Sequence, residues 1–178
     1  AMNFLSLADF YAYLDWAGLR PMTNFEFEKI ARGPLSRIGN EFIWGTTNIT
    51  QAQSTSLNNP GTTSETSSVT GPGLAAYGSS TSNGPLRVGF SATSSTDREN
   101  SGAAYYGVMN LGGNVWEIVI GGYYASSGYK LTYDNLGNGE LNASGDADVT
   151  NWQKNSGSYW YFELRGGSYS SAANTLRT

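Results

Sequence analysis

The sequence predicts an α+β domain with two N-terminal helices, twisted antiparallel sheets and long irregular loops. Two amphipathic segments with capping residues begin the chain, and apolar residues alternate along short segments in its second half. The 23 glycines, with runs of serine, threonine and asparagine, indicate many turns between these elements. The 178 residues show no internal repeat and no boundary, which predicts one domain over residues 1–178.

The first helix is predicted from about Leu7 to Ala17. Ser6 and Asp9 are suitable capping residues, and Gly18 is placed to end the helix. Apolar residues recur at helical spacing in this segment: Leu7, Phe10, Tyr11 and Leu14.

The second helix is predicted to follow Thr23. A Thr with a Glu three residues later, here Glu26, is the pattern of a capping box. Gly33 and Pro34 end the helix, since Gly favours the left-handed cap and Pro cannot continue the hydrogen-bond ladder. One apolar stripe recurs at helical spacing: Phe27, Ile30 and Ala31.

Strands are predicted over residues 86–90, 114–120 and 159–164, with weaker signals over 129–133. Because side chains alternate along a strand, the 159–164 segment has two faces. One face should point to the core and contains Trp160, Phe162 and Leu164. The other should be exposed and contains Tyr159, Tyr161 and Glu163. We also expect four large aromatic residues to be buried together: Phe27, Trp44, Trp116 and Trp160.

Composition excludes several classes of function. The net charge is −4 and the ten basic residues form no cluster, so we expect no nucleic-acid partner. Cys and His are both absent, which excludes a thiolate nucleophile, a Ser-His-Asp triad and an imidazole-bound metal. No segment approaches the roughly 20 apolar residues of a membrane span, and no signal peptide is visible at the N-terminus.

Four segments, in order along the chain, resemble motifs of the formylglycine-generating enzyme family. Residues 19–23 and 26–33 are similar to its segment RLPTEAEWEKAARG, and residues 42–45 to its aromatic-Trp-Gly turn. Residues 106–117 and 165–169 are similar to its GNVWEW and RGGSW blocks. The resemblance implies a C-type-lectin-like fold, which is found both in enzymes and in pure binding proteins.

The same resemblance argues against catalysis. Enzymes of this family act through cysteines near the C-terminus, and a related branch that forms sulfur–carbon bonds uses histidine-bound iron. This chain has neither residue type, so we expect no enzymatic activity. The alternative is a divergent oxidoreductase of the family. A carboxylate-only site would have to use residues such as Glu26 and Glu28, whose positions in a helix cap and on a helix surface favour a structural role.

The resemblance also implies a calcium site in residues 110–117. Its ligands would be the side chains of Asn110 and Glu117 and the main-chain carbonyls of Gly113 and Val115. Ca²⁺ prefers such hard oxygen ligands, including carbonyls. The alternative is that this segment folds as a core strand after a tight turn.

The C-terminal region resembles a binding surface. It is rich in Tyr, Ser and Asn, which supply rigid amphipathic contacts and adaptable hydrogen bonds in antibody paratopes. The candidate ligand-binding residues are Asn155, Tyr159, Tyr161, Glu163, Tyr169, Ser170, Ser171 and Asn174. The motif pattern is similar to the variable proteins of diversity-generating retroelements, which implies an unidentified protein or glycan ligand at a cell surface or virion. The alternative is an ordinary polar sheet edge and tail, in a structural component of such a surface.

Overall fold

The computed structural model describes residues 2–78, 84–120, 136–150, 152 and 162–178. Two helices, six short strands and a final 3₁₀ helix occur in these ranges, in agreement with the predicted α+β class. The elements are α1 (Leu7–Trp16), α2 (Asn24–Arg32), β1 (Thr50–Ala52), β2 (Leu57–Asn58), β3 (Thr66–Ser67), β4 (Leu74–Ala76), β5 (Glu117–Ile120), β6 (Phe162–Arg165) and the 3₁₀ helix Ala173–Leu176. Within the described ranges, no helix has both the length and the apolar character that crossing a bilayer requires.

Helix α1 begins with the predicted capping box. The Asp9 amide donates to Ser6 Oγ over 3.1 Å, and the Ser6 amide donates to Asp9 Oδ2 over 3.3 Å. These bonds satisfy backbone donors that the first turn of a helix leaves without partners. The helix ends at Trp16, one residue before the predicted end, and Gly18 follows with a positive φ of 66°.

Helix α2 begins directly after Thr23 and ends before Gly33, whose φ is 65°. Phe27 and Ala31 are completely buried, which confirms them as the core side of the apolar stripe. The helix carries Glu26 in its first turn and Lys29 and Arg32 in its last, an arrangement that complements the helix dipole.

The strands form three two-stranded sheets. The β2–β3 pair is antiparallel, as predicted, but β1 and β4 are parallel, with Thr50 opposite Leu74 and Ala52 opposite Ala76. The prediction of antiparallel sheets is therefore wrong for this pair. Parallel pairing needs a long crossover connection, and the segment that contains β2 and β3 provides one. Strands β5 and β6 make the third sheet.

Two predicted strands are wrong or shortened. Residues 86–90 form no strand, although Leu86 and Phe90 are buried, and Val88 is 51% exposed. The reason is that the side chain of Asn114 binds both the N–H and the C=O of Leu86. The predicted strand over 114–120 begins only at Glu117. The weak strand predicted over 129–133 lies outside the described residues.

The predicted aromatic core is correct for Phe27 and Trp44, which are 0% and 1% exposed, and wrong for Trp116, which is 38% exposed. Trp116 precedes β5, in which Val119 takes the completely buried position. Residues three apart lie on opposite faces of an extended chain, so Trp116 faces away from the side that Val119 buries. Trp160 lies outside the described residues.

The predicted faces of β6 are also wrong in part. Leu164, expected in the core, is 47% exposed. Glu163, expected to be exposed, is half-buried and accepts a 2.8 Å hydrogen bond from Asn24. Two residues on, Arg165 lies over the ring of Phe27 at 4.7 Å. Polar contacts thus hold the face of β6 that carries residues 163 and 165 against neighbouring residues. Leu164 lies on the opposite face, which is the more exposed one.

Contacts divide the chain into two compact units. The first comprises residues 25–117 and 164–178 with the N-terminal residues up to Asn3, and one of its apolar clusters is Ala52, Leu74, Ala76, Leu86 and Phe90. The second comprises residues 4–24 and 118–163, and its apolar cluster is Tyr11, Leu14, Ala147 and Trp152. There the fully buried carboxylate of Asp15 accepts from the amides of Asn138 (2.9 Å) and Asp148 (2.8 Å), which fixes a loop to α1.

Candidate functional site

The candidate site lies in the first unit, where residues 110–117 run beside residues 166–169. The Gly113 amide donates to the Gly166 carbonyl over 2.7 Å, and the Tyr169 amide donates to the Asn114 carbonyl over 2.9 Å. The two segments that resemble separate family motifs are therefore held together by main-chain hydrogen bonds.

Two glycines allow this close approach. Gly113 has a φ of 77°, and a Cβ there would collide with the Ala76 carbonyl. Gly166 has a φ of 78°, and a Cβ there would collide with both Glu117 Oε2 and the Leu111 carbonyl. Only a residue without a side chain meets both the backbone angle and the contact at these positions.

Asn114 is the structural centre of the site, a role that the sequence reasoning missed. It is completely buried, with a φ of 69°. Its Oδ1 accepts from the Leu86 amide over 2.7 Å and its Nδ2 donates to the Leu86 carbonyl over 3.2 Å. The sequence signal was the Gly-Asn pair, because Asn is among the few side chains that tolerate a positive φ.

Asn110 and Glu117, the two predicted side-chain ligands, differ in what they contact. Asn110 is buried with a φ of 58°, and its Oδ1 accepts from the Gly89 amide over 2.7 Å. Glu117 Oε2 is buried and accepts no hydrogen bond in the part of the chain that is described. Desolvation by burial raises the pKa of Glu117 to about 10.

The surroundings of Glu117 suit a bound cation, whereas those of Asn110 suit it less directly. An isolated buried carboxylate is unstable unless it is protonated, paired or metal-bound. Glu117 Oε2 and the Leu111 carbonyl both lie against Gly166, and both are the hard oxygens that Ca²⁺ prefers. The Asn110 oxygen already holds Gly89, so a metal there would use its second lone pair. The described residues contain no cluster of three or more acidic side chains that would hold a metal without carbonyl ligands.

The predicted ligand-binding residues fall into three groups. Ser170 and Asn174 are exposed, as a display surface requires. Tyr169, Ser171 and Glu163 are half-buried. Asn155, Tyr159 and Tyr161 lie outside the described residues.

Two of the half-buried residues have identifiable structural contacts in the first unit. Tyr169 packs against the apolar cluster around Leu74 and Phe90. Ser171 Oγ accepts from the Ser168 amide over 2.9 Å, and the Ser171 carbonyl accepts from the Gly78 amide over 2.7 Å. These contacts fix the turn, and the ligand-binding role of Tyr169 and Ser171 stays a prediction.

Glu28 has a structural role that the sequence reasoning did not assign. Its two oxygens accept from Arg165 over 2.6 Å and from Arg32 over 2.9 Å. Arg32 also pairs with the buried carboxylate of Glu41, at 2.5 Å. Multiple charge-assisted bonds of this kind fix geometry, and here they connect α2 with residue 165 of the C-terminal segment.

Comparison with known proteins gives one match. A family model described as the sulfatase-modifying factor enzyme 1-like domain matches residues 2–178, and so covers both compact units. Searches of curated proteins and of solved structures returned no significant match.

Proposed function

The chain belongs to the sulfatase-modifying factor enzyme 1-like family, and we propose that it is a non-catalytic member that binds a ligand through a C-terminal surface. In this proposal it acts as the variable proteins of diversity-generating retroelements do. The ligand is an unidentified protein or glycan, encountered at a cell surface or virion.

The observation that carries the proposal is that, after residue 166, the backbone is held by contacts with the rest of the first unit while some side chains remain exposed. Main-chain bonds anchor this segment at Gly113, Asn114 and Gly78, and the completely buried Leu176 anchors its end. Between these anchors the side chains of Ser170 and Asn174 are exposed. A backbone fixed in this way presents side chains without depending on their identity, which is what a variable binding surface needs.

Two observations favour binding over catalysis. The thiol and imidazole groups used by the family's enzymes are absent from the sequence. Of the two carboxylates considered for an alternative site, Glu28 is neutralised by Arg32 and Arg165. Both oxygens of this carboxylate already accept from guanidinium groups, so neither is free to take a proton from a substrate.

We further propose that calcium stabilises the scaffold by binding Glu117. When bound, the ion supplies positive charge to a buried carboxylate whose Oε2 accepts no hydrogen bond among the described residues. Its role would be structural, because Glu117 is the first residue of β5 and its carboxylate lies against Gly166. Asn110, Gly113 and Val115 are the further ligands that the family resemblance implies.

The first experiment separates display from scaffold. The double variant Ser170→Tyr with Asn174→Tyr should leave the Tm within about 2 °C of wild type, since exposed substitutions usually change stability by less than about 0.5 kcal/mol. The matched buried change, Leu176→Ser, should cost more than about 3 kcal/mol, because it leaves a cavity and buries a hydroxyl. Wild type and the double variant are then applied to a glycan array and a protein array, which report whether the double variant binds different ligands. Equal destabilisation by both changes, or an unchanged binding profile, would contradict the display hypothesis.

The second experiment tests the enzymatic alternative. The purified protein is incubated with a cysteine-containing sulfatase peptide under oxygen, and the peptide mass is followed. We expect no conversion of the cysteine. Formation of formylglycine above the level of a heat-inactivated control would refute the non-catalytic assignment.

A further inference from the structure

A second candidate site lies in the first unit, away from the residues assigned above. It is a cavity of about 270 Å³. One wall is formed by residues of the segment 67–74, which begins at the end of β3, and the other wall by residues of the segment 91–100. Ligand cavities in proteins typically start at roughly 300 Å³, so this cavity suits one small molecule.

The chemistry of the lining is unusual. Seven of the ten lining residues carry a hydroxyl or a side-chain amide, and none of these described residues is charged or aromatic. A charged ligand would lose its hydration without gaining a counter-charge, so the cavity disfavours it. A flat aromatic ligand would find no ring on which to stack.

Several of the polar groups are used to hold the walls. Ser67 Oγ accepts from the Val69 amide over 3.1 Å and donates to the Val69 carbonyl over 2.6 Å. Thr96 Oγ1 makes the same pair of bonds with Thr93, at 2.9 Å and 3.1 Å. These local hydrogen bonds hold a turn in each wall of the cavity, and turns that are already formed lower the entropic cost of binding.

Other polar groups keep hydrogen-bonding capacity. In the described part of the chain, the Thr70 hydroxyl has no partner, and Ser95 Oγ shares only a 3.1 Å contact with Thr93 Oγ1. Asn100 Nδ2 donates to Asp97 over 2.9 Å, which leaves Asn100 Oδ1 as an acceptor. Hydroxyls both donate and accept, so this set complements a ligand that does the same.

We propose that this cavity binds a neutral sugar, of the size of one monosaccharide ring. A sugar offers hydroxyls that donate and accept, and it offers an apolar C–H face for the side formed by Val69 and Leu74. Leu74 belongs to the apolar cluster against which Val69 and Tyr169 pack, and the cavity uses none of the exposed side chains of the C-terminal segment.

The test uses the whole chain and saturation-transfer NMR with D-glucose, D-galactose, D-mannose and N-acetyl-D-glucosamine. We expect at least one of them to bind saturably. D-Glucuronate, in which a carboxylate replaces the C6 hydroxymethyl group of glucose, should bind at least about tenfold more weakly than glucose, because the cavity offers no counter-charge. The methyl glycoside of the best sugar distinguishes the source: retained binding indicates the end of a glycan chain, and lost binding indicates the free sugar.

Matched variants locate the binding. Ser95→Trp should fill the cavity and abolish the signal, whereas Ser94→Trp, at an exposed neighbour that does not line the cavity, should not. Thr70→Val keeps the shape but removes the hydroxyl, and should weaken binding about fivefold. Thr63→Val, at another exposed threonine, is its control. Thermal melting checks that each variant is folded.

Three results would overturn the proposal. The first is that none of the four sugars binds saturably to the folded wild type. The second is that Ser95→Trp binds as wild type does, or that the Ser94→Trp control loses binding equally. The third is that glucuronate, or a short neutral peptide, competes better than every neutral sugar.

Discussion

The carboxyl group of Glu117 gives the sharpest test of the candidate metal site. Burial raises its pKa from 4.5 to about 10 when calcium is absent. The folded protein therefore keeps this proton up to about pH 10, whereas the unfolded chain releases it near pH 4.5. Stability rises with pH only where the unfolded state binds more protons, and here the folded state does. In calcium-free buffer, this group should lower the free energy of unfolding as pH rises from 4.5 towards 10.

The size of the effect follows from the same pKa values. Each pH unit in this interval changes the free energy of unfolding by about 1.36 kcal/mol. At pH 7 the free energy of unfolding should therefore be about 3 kcal/mol lower than it is below pH 4.5, through this group alone. Between pH 5 and pH 8 the loss is about 4 kcal/mol.

The assay is urea unfolding at pH 5 and pH 8 in EGTA, comparing wild type with Glu117→Gln. Because the Gln amide does not titrate, the variant should lack the loss of about 4 kcal/mol, whatever its baseline stability. Calcium at 100 times its Kd should add about 2.7 kcal/mol to wild type and nothing to Glu117→Gln. Glu140→Gln, at an exposed carboxylate, should behave as wild type. Identical pH profiles for wild type and Glu117→Gln would refute the inferred burial, and equal stabilisation of both by calcium would refute the ligand assignment.

Three further predictions test the scaffold by urea unfolding. Gly113 and Gly107 both have a φ near 80°, but only at Gly113 would a Cβ also collide with a backbone carbonyl. Gly107→Ala should therefore lower the free energy of unfolding by about 1–2 kcal/mol, and Gly113→Ala by clearly more. Equal losses for the two variants would contradict this reasoning. Asp15→Ala removes the acceptor for two loop amides and should cost about 3 kcal/mol, with increased hydrogen exchange at residues 138 and 148 as its signature. Trp44→Phe loses a 2.7 Å bond from the indole N–H and should cost about 2 kcal/mol, against less than about 1 kcal/mol for the exposed Trp116→Phe.

Local signals in the sequence predicted the helices well. The capping box of Ser6 and Asp9 and the terminal glycines act within a few residues, so their effect can be read from neighbouring positions. The same is true of the glycines at 113 and 166, whose positive φ values fit their surroundings.

Long-range contacts explain most of the errors. Asn114 binds the backbone of Leu86, 28 positions earlier, and this contact replaces the strand expected there. The exposed Leu164 follows from contacts that Glu163 makes with Asn24 and Arg165 makes with Glu28, both more than 130 positions away. Alternation of apolar residues identifies a strand but does not show which face meets the core when polar partners lie on one side.

The residues that resemble the family motifs are used here for structure. Glu28 pairs with Arg165, Gly113 bonds to Gly166 and Asn114 holds Leu86. Such contacts fix the backbone whether or not a reactive residue is present, so a chain without Cys or His can still satisfy the whole motif pattern. Motif matches of this kind therefore identify the scaffold, and function has to be argued from the groups that the scaffold leaves available. Among the described residues, those groups include the exposed side chains of Ser170 and Asn174, the carboxyl of Glu117 and the hydroxyl-lined cavity.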